Sequence, residues 1–343
     1  MLVAVGALTL AACGGGEDPN KVLNETFSGN KQVRSGRIDL TLTLEAQGVP
    51  QLQKPVTIKL SGPFQGQGNT LPKFDFGLVL SASGQSFTAG AVSTGDKGFL
   101  KFQGQNYAVP ANVFASFKQG YEQARSQQRQ RGQNPSLASF GVNPRDWLKD
   151  PKSEGDADVE GVSTNHISAK VDVGKLLDDV NKILQRTRGR LPQAPALPSG
   201  ITPQQRKAIE NAVQETTFEV FSGKDDHILR RMVVKLKFSV PESARRQASG
   251  LKGGNIGFDL TLAGLNQPQT ISAPAAARPF SELTSRLRSS LGGLTGGGAT
   301  SSGGTTAPSG GTGSAKAQQY LRCLQQAGGD VSKAQRCAAL LNG

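Results

Sequence analysis

The chain has 343 residues, a formal net charge of +13 and a hydrophobic content of 36%. That length supports a sizeable core in one or two domains, which excludes a short peptide or a small disulfide-only scaffold. The 43 glycines and the modest hydrophobic content indicate that part of the chain is linker rather than core. The basic balance suits nucleic acid, anionic lipid headgroups or acidic wall polymers.

A short apolar run opens the chain and ends at a cysteine. Leu2 to Leu10 is too short to cross a hydrocarbon core of about 30 Å as a helix, but it has the length of a secretory signal core. LAAC, ending at Cys13, matches a bacterial lipobox, and three glycines follow it. We therefore predict that residues 1–12 are a lipoprotein signal peptide, that Cys13 is the lipid anchor and that 13–19 is a tether. The alternative is a buried Cys13 in an ordinary first element.

This signal lacks one usual feature. Secretory signals start with positive residues, whereas no Lys or Arg precedes the apolar run. The signal peptide is therefore expected to be truncated at its start, and the true start codon stays open.

Lipidation of Cys13 leaves two cysteines, Cys323 and Cys337. An even pair in an oxidising compartment predicts a disulfide. A closed loop of ~15 residues contributes roughly 3 kcal/mol in the chain-entropy model. The sequence thus predicts an extracytoplasmic protein that is lipid-anchored to the cell membrane.

Strand patterns dominate the first third of the chain. A helix is predicted over 17–35, with Asp18 and Pro19 at its start. From Ile38 to Leu44, apolar residues alternate with polar ones, the period-2 pattern of a half-buried strand. The alternation recurs at 56–60, 74–80 and 85–94, with a hairpin turn at 83–85, and two short strands joined at Gly104-Gln105 follow. These segments predict an antiparallel meander.

Helices then interrupt the strands. A helix opened by Pro110 places Val113, Phe114, Phe117 and Tyr121 on one stripe. The remaining predicted elements are a short helix after Asn143, two strands joined around Gly161, an amphipathic helix at 174–185 with Leu176, Leu177, Val180, Ile183 and Leu184 on one face, a helix from Thr202 to about Thr216, and strands at 217–223, 227–240 and 255–263.

The last part of the chain changes composition. After an extended stretch at 268–279 and a short helix near 280–290, residues 291–314 are rich in Gly, Ser and Thr. Such a segment cannot bury enough apolar surface to offset its backbone entropy, so we predict a disordered linker. Residues 315–343 are predicted to form a small helical hairpin closed by the disulfide.

Catalytic motifs are absent from the sequence. There is no phosphate-binding G-x-x-x-x-G-K-[ST] loop and no G-x-S-x-G elbow. His166 is expected in mid-strand and His227 at a turn beside Asp225 and Asp226, where turn chemistry is favoured over a metal site. The carboxylates Asp156, Asp158 and Glu160 are expected on one strand face, with a cation site as the alternative to a solvated face. We predict a non-enzymatic protein with no catalytic residue, metal or cofactor.

Two basic clusters account for part of the charge: Arg125, Arg129 and Arg131, and Lys182, Arg186, Arg188 and Arg190. Nucleic-acid sites pair such clusters with exposed aromatics, which these clusters lack. We therefore expect solvated helix ends, with attraction to anionic lipid or wall polymer as the alternative, and no nucleic-acid partner.

The apolar sheet face carries the functional prediction. Such a face must be covered by helices or close on itself, and the predicted helices are few for about nine strands. Bulky residues on one strand (Phe74 to Leu80) oppose small ones on the next, which either interlock or leave an apolar cavity for acyl chains. The candidate lining residues are Leu42, Phe74, Phe76, Leu78, Leu80, Phe87, Ala89, Ala91, Phe99, Phe117, Leu176 and Val180.

Two short motifs connect these features to a family. V-x-G-V-x-T-x-H-I begins at Val159 and Q-x-x-x-I-S-A-P begins at Gln267. With the lipobox and the strand meander, the sequence over 20–290 resembles the LolA/LolB-like lipoprotein superfamily, and more closely its actinobacterial LprG/LppX-type members. The resemblance implies an α+β fold, a strongly curved antiparallel half-barrel wrapped around a few helices, with a cavity for lipid or lipoglycan acyl chains. The linker, the disulfide hairpin and the 120–150 insertion depart from the family.

The leading functional hypothesis is a monomeric, membrane-anchored lipoprotein that binds or carries lipid without catalysis. The competing hypothesis is a surface scaffold without lipid cargo, whose C-terminal hairpin docks a protein partner or the cell wall. The tether-like linker motivates this second hypothesis.

Overall fold

The structure is a computed structural model that describes residues 17–29, 31–52, 54–68, 70–130, 143–188, 200–246, 248 and 250–286. The predicted signal peptide, Cys13, the linker and the hairpin with Cys323 and Cys337 lie outside these residues. Arg190 and residues 131–142 of the 120–150 insertion, which include Arg131, also lie outside them.

The described chain forms one large sheet of twelve strands. Their order across the sheet is β12-β6-β5-β4-β3-β2-β1-β11-β10-β9-β8-β7, so the sheet is open, with β12 and β7 at its edges. All neighbours pair antiparallel except β12 and β6, which are parallel. The strands are β1 (Ser35–Gln47), β2 (Val56–Gln67), β3 (Thr70–Ala82), β4 (Gln85–Ser93), β5 (Gly98–Phe102), β6 (Gln105–Ala108), β7 (Leu148–Val159), β8 (Val162–Val171), β9 (Val213–Gly223), β10 (Leu229–Ser239), β11 (Gly253–Ala263) and β12 (Arg278–Pro279).

The curved, unclosed antiparallel sheet confirms the predicted fold class in its coarse form. The predicted meander is β1 to β6, each strand pairing with the next. Several strands are longer than expected because polar residues continue them, as in Leu148–Val159 of β7. The short strand β12 was not predicted as a strand.

Tight two-residue turns set the register of the hairpins. At Ser83-Gly84 the φ angles are 52° and 82°, and at Glu160-Gly161 they are 51° and 78°. Two successive positive φ values define the type I′ turn, which matches the right-handed twist of paired strands. Glu160 therefore lies in a turn and not on the β7 strand face with Asp156 and Asp158, which corrects the predicted row of three carboxylates.

The described residues form six helices beside the sheet: α1 (Pro19–Phe27), α2 (Ala111–Gln130), α3 (Val173–Arg188), α4 (Pro203–Ala212), α5 (Glu242–Arg245) and α6 (280–286). Short 3-10 turns occur at Pro50–Leu52 and Pro144–Trp147. No described helix has the length and apolar character needed to cross a bilayer.

Two helix ends differ from the sequence prediction. The Asp18 side chain caps α1 by accepting from the Lys21 N–H, but α1 ends at Phe27 rather than at 35, just before Gly29 with φ 75°. α4 starts as predicted, with a capping box between Thr202 and Gln205. It ends at Ala212 rather than Thr216 because Val213 already pairs with β10. Ladder pairing of β-branched residues outweighs helix continuation there.

The hydrophobic core lies between α1 and strands β8 to β10. Val22 and Leu23 of α1 are fully buried against strand residues such as Phe218 and Ile167. Thr26 and Ser222 share a hydrogen bond of 2.7 Å between their hydroxyls, which ties α1 to the end of β9.

Candidate functional site

One face of the sheet carries two continuous apolar rows, which we call the apolar face. The strand register aligns them without interruption across the middle of the sheet. The first row is Ala169, Phe218, Val234, Phe258, Leu42, Ile58, Leu80 and Phe87, from β8 to β4. The second is Ile167, Val220, Met232, Leu260, Leu40, Leu60, Leu78, Ala89 and Phe102, from β8 to β5.

The part of this face on β8, β9 and β10 is covered, and we call it the covered half. Phe218 and Val220 are 0% and 1% exposed under α1. Trp147 packs edge-on against Phe218 with ring centroids 6.5 Å apart. This half is an ordinary close-packed core.

The part on β1 to β4 is open, and we call it the open half. Leu42, Leu80 and Phe87, three members of the first row, are 36%, 37% and 38% exposed. Their neighbours Ile58 and Leu78 are half-buried. Contiguous exposed apolar surface on a folded protein marks a ligand, membrane or protein contact.

The opposite face of the open half carries ion pairs, together with the buried apolar pair Val92 and Phe99. Arg37 and Asp39 form an ion pair of 2.9 Å on β1, and Lys101 pairs with Asp75 between β5 and β3. On β1 and β3 the open half is therefore amphipathic, with charged side chains on one side and apolar side chains on the other.

Helix α2 packs beside β3 and β5, next to the open half. Phe114 is buried, and its ring lies where a side chain on Gly98 of β5 would stand. Val113 and Phe117 on the same helix are 48% and 56% exposed. The predicted apolar stripe is therefore split, with Phe114 on the sheet and Val113 and Phe117 in solvent.

Helix α3 shows a buried acid within its predicted apolar face. Asp179 is buried and accepts hydrogen bonds from Trp147 Nε1 at 3.0 Å, the Asn143 N–H at 3.1 Å and Lys182 Nζ at 2.7 Å. Burial acts to raise the pKa of Asp179, but these hydrogen bonds together hold the pKa below its usual range. The carboxylate thus fixes α3 against the turn that precedes β7.

The register brings together most of the predicted lining residues. Leu80 pairs with Phe87, Leu78 with Ala89 and Phe76 with Ala91, while Phe74 opposes Ser93. The opposition of bulky and small residues is therefore observed on the apolar face.

Four predicted residues lie elsewhere, one of which is Phe117, exposed on α2. Phe99 is on the opposite face, because the next residue, Leu100, pairs with Ala91. Leu176 of α3 packs against the covered half, and Val180 is half-buried on the same helix.

Sequence reasoning missed several members of the open half. Ile58 lies between Leu42 and Leu80 in the first row, and Leu60 lies between Leu40 and Leu78 in the second. On the neighbouring strand β5, Phe102 packs edge-on against Phe87 at 5.3 Å. The alternation of β2 already carried this signal, since every second residue of a strand shares a face.

The polar candidates make separate pairwise contacts rather than a reactive cluster. His166 Nε2 lies 3.4 Å from Glu219, and its ring stacks on Phe221 at 4.2 Å. Lys224 Nζ pairs with Asp156 at 2.6 Å. Within the described ranges, no group of three or more His, Cys, Asp or Glu side chains is placed to hold a metal ion.

The turn at 225–227 is stabilised by side-chain hydrogen bonds, as the sequence predicted, and does not form a metal site with the described residues. The Asp226 carboxylate accepts from the Ile228 N–H at 2.9 Å and from Arg230 at 2.6 Å. His227 Nε2 faces Glu25 of α1 at 3.1 Å. These contacts attach the β9–β10 turn to α1.

Solved structures of lipoproteins and of a LolA superfamily protein resemble this chain. LprF from Mycobacterium bovis is 14% identical, with 75% of this chain and 97% of that chain covered and a TM-score of 0.37. Lipoprotein LppX from Mycobacterium tuberculosis is 11% identical, covering 74% and 97%, with a TM-score of 0.34. A LolA superfamily protein from Nitrosomonas europaea is 5% identical, covering 74% and 96%, with a TM-score of 0.18.

No protein-family model matches the chain, and no curated protein matches it.

Proposed function

We propose that the open half binds the acyl chains of a lipid, and that the protein is a lipid-binding or lipid-carrying lipoprotein rather than an enzyme. The observation that carries this proposal is the continuity of the two apolar rows. The same rows that form the core under α1 continue into strands where Leu42, Leu80 and Phe87 stay exposed.

The energetics favour an acyl chain as the ligand. Each methylene moved from water to an apolar surface contributes about 0.8 kcal/mol. The row from Leu42 to Phe87 crosses four adjacent strands, and strands are spaced about 4.8 Å apart. An extended chain of about ten carbons can therefore lie along one row without leaving apolar contact.

The open half and the anchor support one another in this proposal. Diacylglycerol on Cys13 would hold the protein at the outer face of the cell membrane, where acyl chains are supplied. The net charge of +13 favours approach to an anionic membrane surface. The predicted disulfide of Cys323 and Cys337 belongs to the same extracytoplasmic setting.

The experiment compares two aspartates on adjacent residues of β4. Phe87→Asp places a charge in the open half, whereas Ser86→Asp places it on the polar face, since Ser86 is exposed and pairs with Ser81. We expect wild type and Ser86→Asp to bind a fluorescent fatty acid, and Phe87→Asp to lose at least about tenfold in affinity because its carboxylate would have to be desolvated.

Mass spectrometry of organic extracts of the purified protein is the companion measurement. Lipid should co-purify with wild type and with Ser86→Asp. If no lipid is extracted and the fatty acid does not bind wild type, lipid binding is wrong, and the scaffold hypothesis remains. If Phe87→Asp and Ser86→Asp bind the fatty acid equally well, the binding site is not in the open half.

A further inference from the structure

An open pocket of about 660 Å³, lined mainly by residues with polar side chains, lies at the end of the sheet where β1 begins. Its size lies within the range of about 300–1,000 Å³ typical of small-molecule sites. Ser35 of β1 pairs with Gln65 of β2, so both share the strand alternation of Arg37 and Asp39 and lie away from the apolar rows. The lining side chains used below are Gln32, Arg34, Gln65, Asn266, Pro268 and Gln269.

Hydrogen bonds fix the pocket's backbone. Asn266 has a φ of 59° and donates its N–H to Ser35 O at 2.9 Å. Its side chain accepts from the Arg34 N–H at 2.8 Å and donates to Gln32 O at 3.2 Å. The Ser35 hydroxyl donates to Gln267 O at 2.7 Å. The segment after β11 is thus held against the start of β1, which preorganises the pocket.

The hydrogen bonds also determine which amide atoms are occupied. Gln65 Oε1 accepts from the Gln269 N–H at 2.9 Å, which leaves Gln65 Nε2 as a donor. Gln269 Nε2 donates to Gly264 O and Gln267 O at 3.3 and 3.2 Å, which leaves Gln269 Oε1 as an acceptor. Because the partners are backbone groups of known donor or acceptor character, the orientation of each amide is assigned by its bonds.

Arg34 adds spare donors. Its Nη2 donates to Gln32 Oε1 at 3.0 Å. Its Nε and Nη1 make no hydrogen bond to the part of the chain that the structure describes, and the guanidinium has five N–H donors in total. Gln32 Nε2 is likewise a spare donor, since Gln32 Oε1 is the accepting atom.

This inventory selects a class of ligand. A metal cation would require carboxylates, and none lines the pocket. A sulfate or a fully ionised phosphate has no proton to donate, so it would leave Gln269 Oε1 unpaired. A sugar hydroxyl both donates and accepts, and the ring of Pro268 offers an apolar surface for the C–H face of a sugar.

We propose that this pocket binds a saccharide through its hydroxyl groups, independently of acyl-chain binding on the open half. The saccharide could be free or could form the head of a larger molecule; the recognising chemistry is the same. Arg34 and Gln65 donate to sugar oxygens, and Gln269 Oε1 accepts from a sugar hydroxyl.

The test is isothermal titration calorimetry of the purified full chain with maltotriose, mannotriose and chitotriose. Inorganic phosphate serves as the anion arm, and octyl glucoside below its micelle concentration serves as the lipid-linked arm. The variants are Arg34→Met, which removes the spare donors, and Gln65→Glu, which keeps the acceptor for the Gln269 N–H but removes the amide donor. Arg37→Met is the matched control, because Arg37 pairs with Asp39 and does not line the pocket.

We expect at least one trisaccharide to bind, with affinity reduced about tenfold in Arg34→Met and Gln65→Glu and unchanged in Arg37→Met. Failure of all three trisaccharides to bind overturns the proposal, as does equal binding by the pocket variants. Binding of phosphate but not of sugar identifies an anion site and also overturns it. If octyl glucoside alone binds and Phe87→Asp abolishes the binding, the site is the open half. Arg34→Met decides the test alone if Gln65→Glu does not fold, because the Arg34 side chain is exposed.

Discussion

The covered and open halves of the apolar face are built from the same rows but have different surroundings. In the first row, Phe218 on β9 is fully buried, whereas Phe87 on β4, at the other end of the same row, is 38% exposed. The strands do not differ in alternation or pairing. What differs is the cover, since Val22 and Leu23 of α1 lie over the covered half.

This difference shows that a strand pattern defines a face but does not say what lies on it. α1 and Trp147 complete the covered half, so its apolar residues contribute to stability. The open half leaves comparable residues in solvent, and on our account they contribute to binding. The following predictions test that division of roles, from the largest expected effect to the smallest.

The largest effect is expected from truncating matched phenylalanines in the two halves. Phe218→Ala should lower the free energy of unfolding by about 3–5 kcal/mol, because it leaves a cavity under α1 and Trp147. Phe87→Ala should lower it by less than about 1 kcal/mol, since its ring is partly solvated already. Denaturant unfolding followed by circular dichroism measures both. Equal losses would show that the open half is core.

The contact that places α2 beside the sheet should have an intermediate effect. A Cβ at Gly98 would collide with the Phe114 ring. Gly98→Ala should therefore lower the free energy of unfolding by about 2 kcal/mol through overpacking. Gly77→Ala is the control, since its Cβ would meet nothing closer than 3.9 Å. Amide hydrogen exchange should show faster exchange in α2 for Gly98→Ala alone. Unchanged exchange in α2 would mean that Phe114 does not hold the helix.

The buried acid of α3 predicts a pH dependence near the covered half. Because the pKa of Asp179 is lowered in the folded state, its stabilisation is present above the unfolded pKa and is lost as pH falls through the folded pKa. Asp179→Asn should lower the free energy of unfolding by about 1.5 kcal/mol at neutral pH. It should also reduce the loss of stability that the wild type shows as the pH falls. Fluorescence of Trp147, the single tryptophan, reports the contact directly.

The neighbouring Asp178 provides the control for this prediction. Asp178 is 40% exposed and pairs with Arg206 at 2.6 Å, so Asp178→Asn should retain the wild-type decline. If Asp179→Asn leaves both the neutral-pH stability and the acid-side decline unchanged, Asp179 does not fix α3.

The sequence predicted most of the strands and which of their side chains share a face. Period-2 alternation at Leu40, Leu42 and Leu78 determines which side chains share a side, and a one-residue slip would expose them all. The opposition of Phe76 and Ala91 followed from the short turn at Ser83-Gly84. Strand alternation and turn residues were therefore enough to predict the meander of β1 to β6.

The same rules failed where tertiary contacts decide. In the run Phe99-Leu100, both residues are apolar, and only pairing with β4 shows that Leu100 is on the apolar face. On α3, helical periodicity put Ile183 on the buried face, yet Ile183 is exposed and Asp179 is buried. The partners of Asp179, Trp147 and Asn143, lie more than 30 residues away, so sequence periodicity contains no sign of them.

Photo-crosslinking with a diazirine-bearing fatty acid tests the central claim most directly. After irradiation and proteolysis, we predict crosslinks on β1 to β4 at the open half, in peptides that contain Leu42, Leu80 or Phe87, and their loss in Phe87→Asp but not in Ser86→Asp. Crosslinks confined to the polar face or to the covered half, or an unchanged pattern in Phe87→Asp, would contradict acyl-chain binding at the open half.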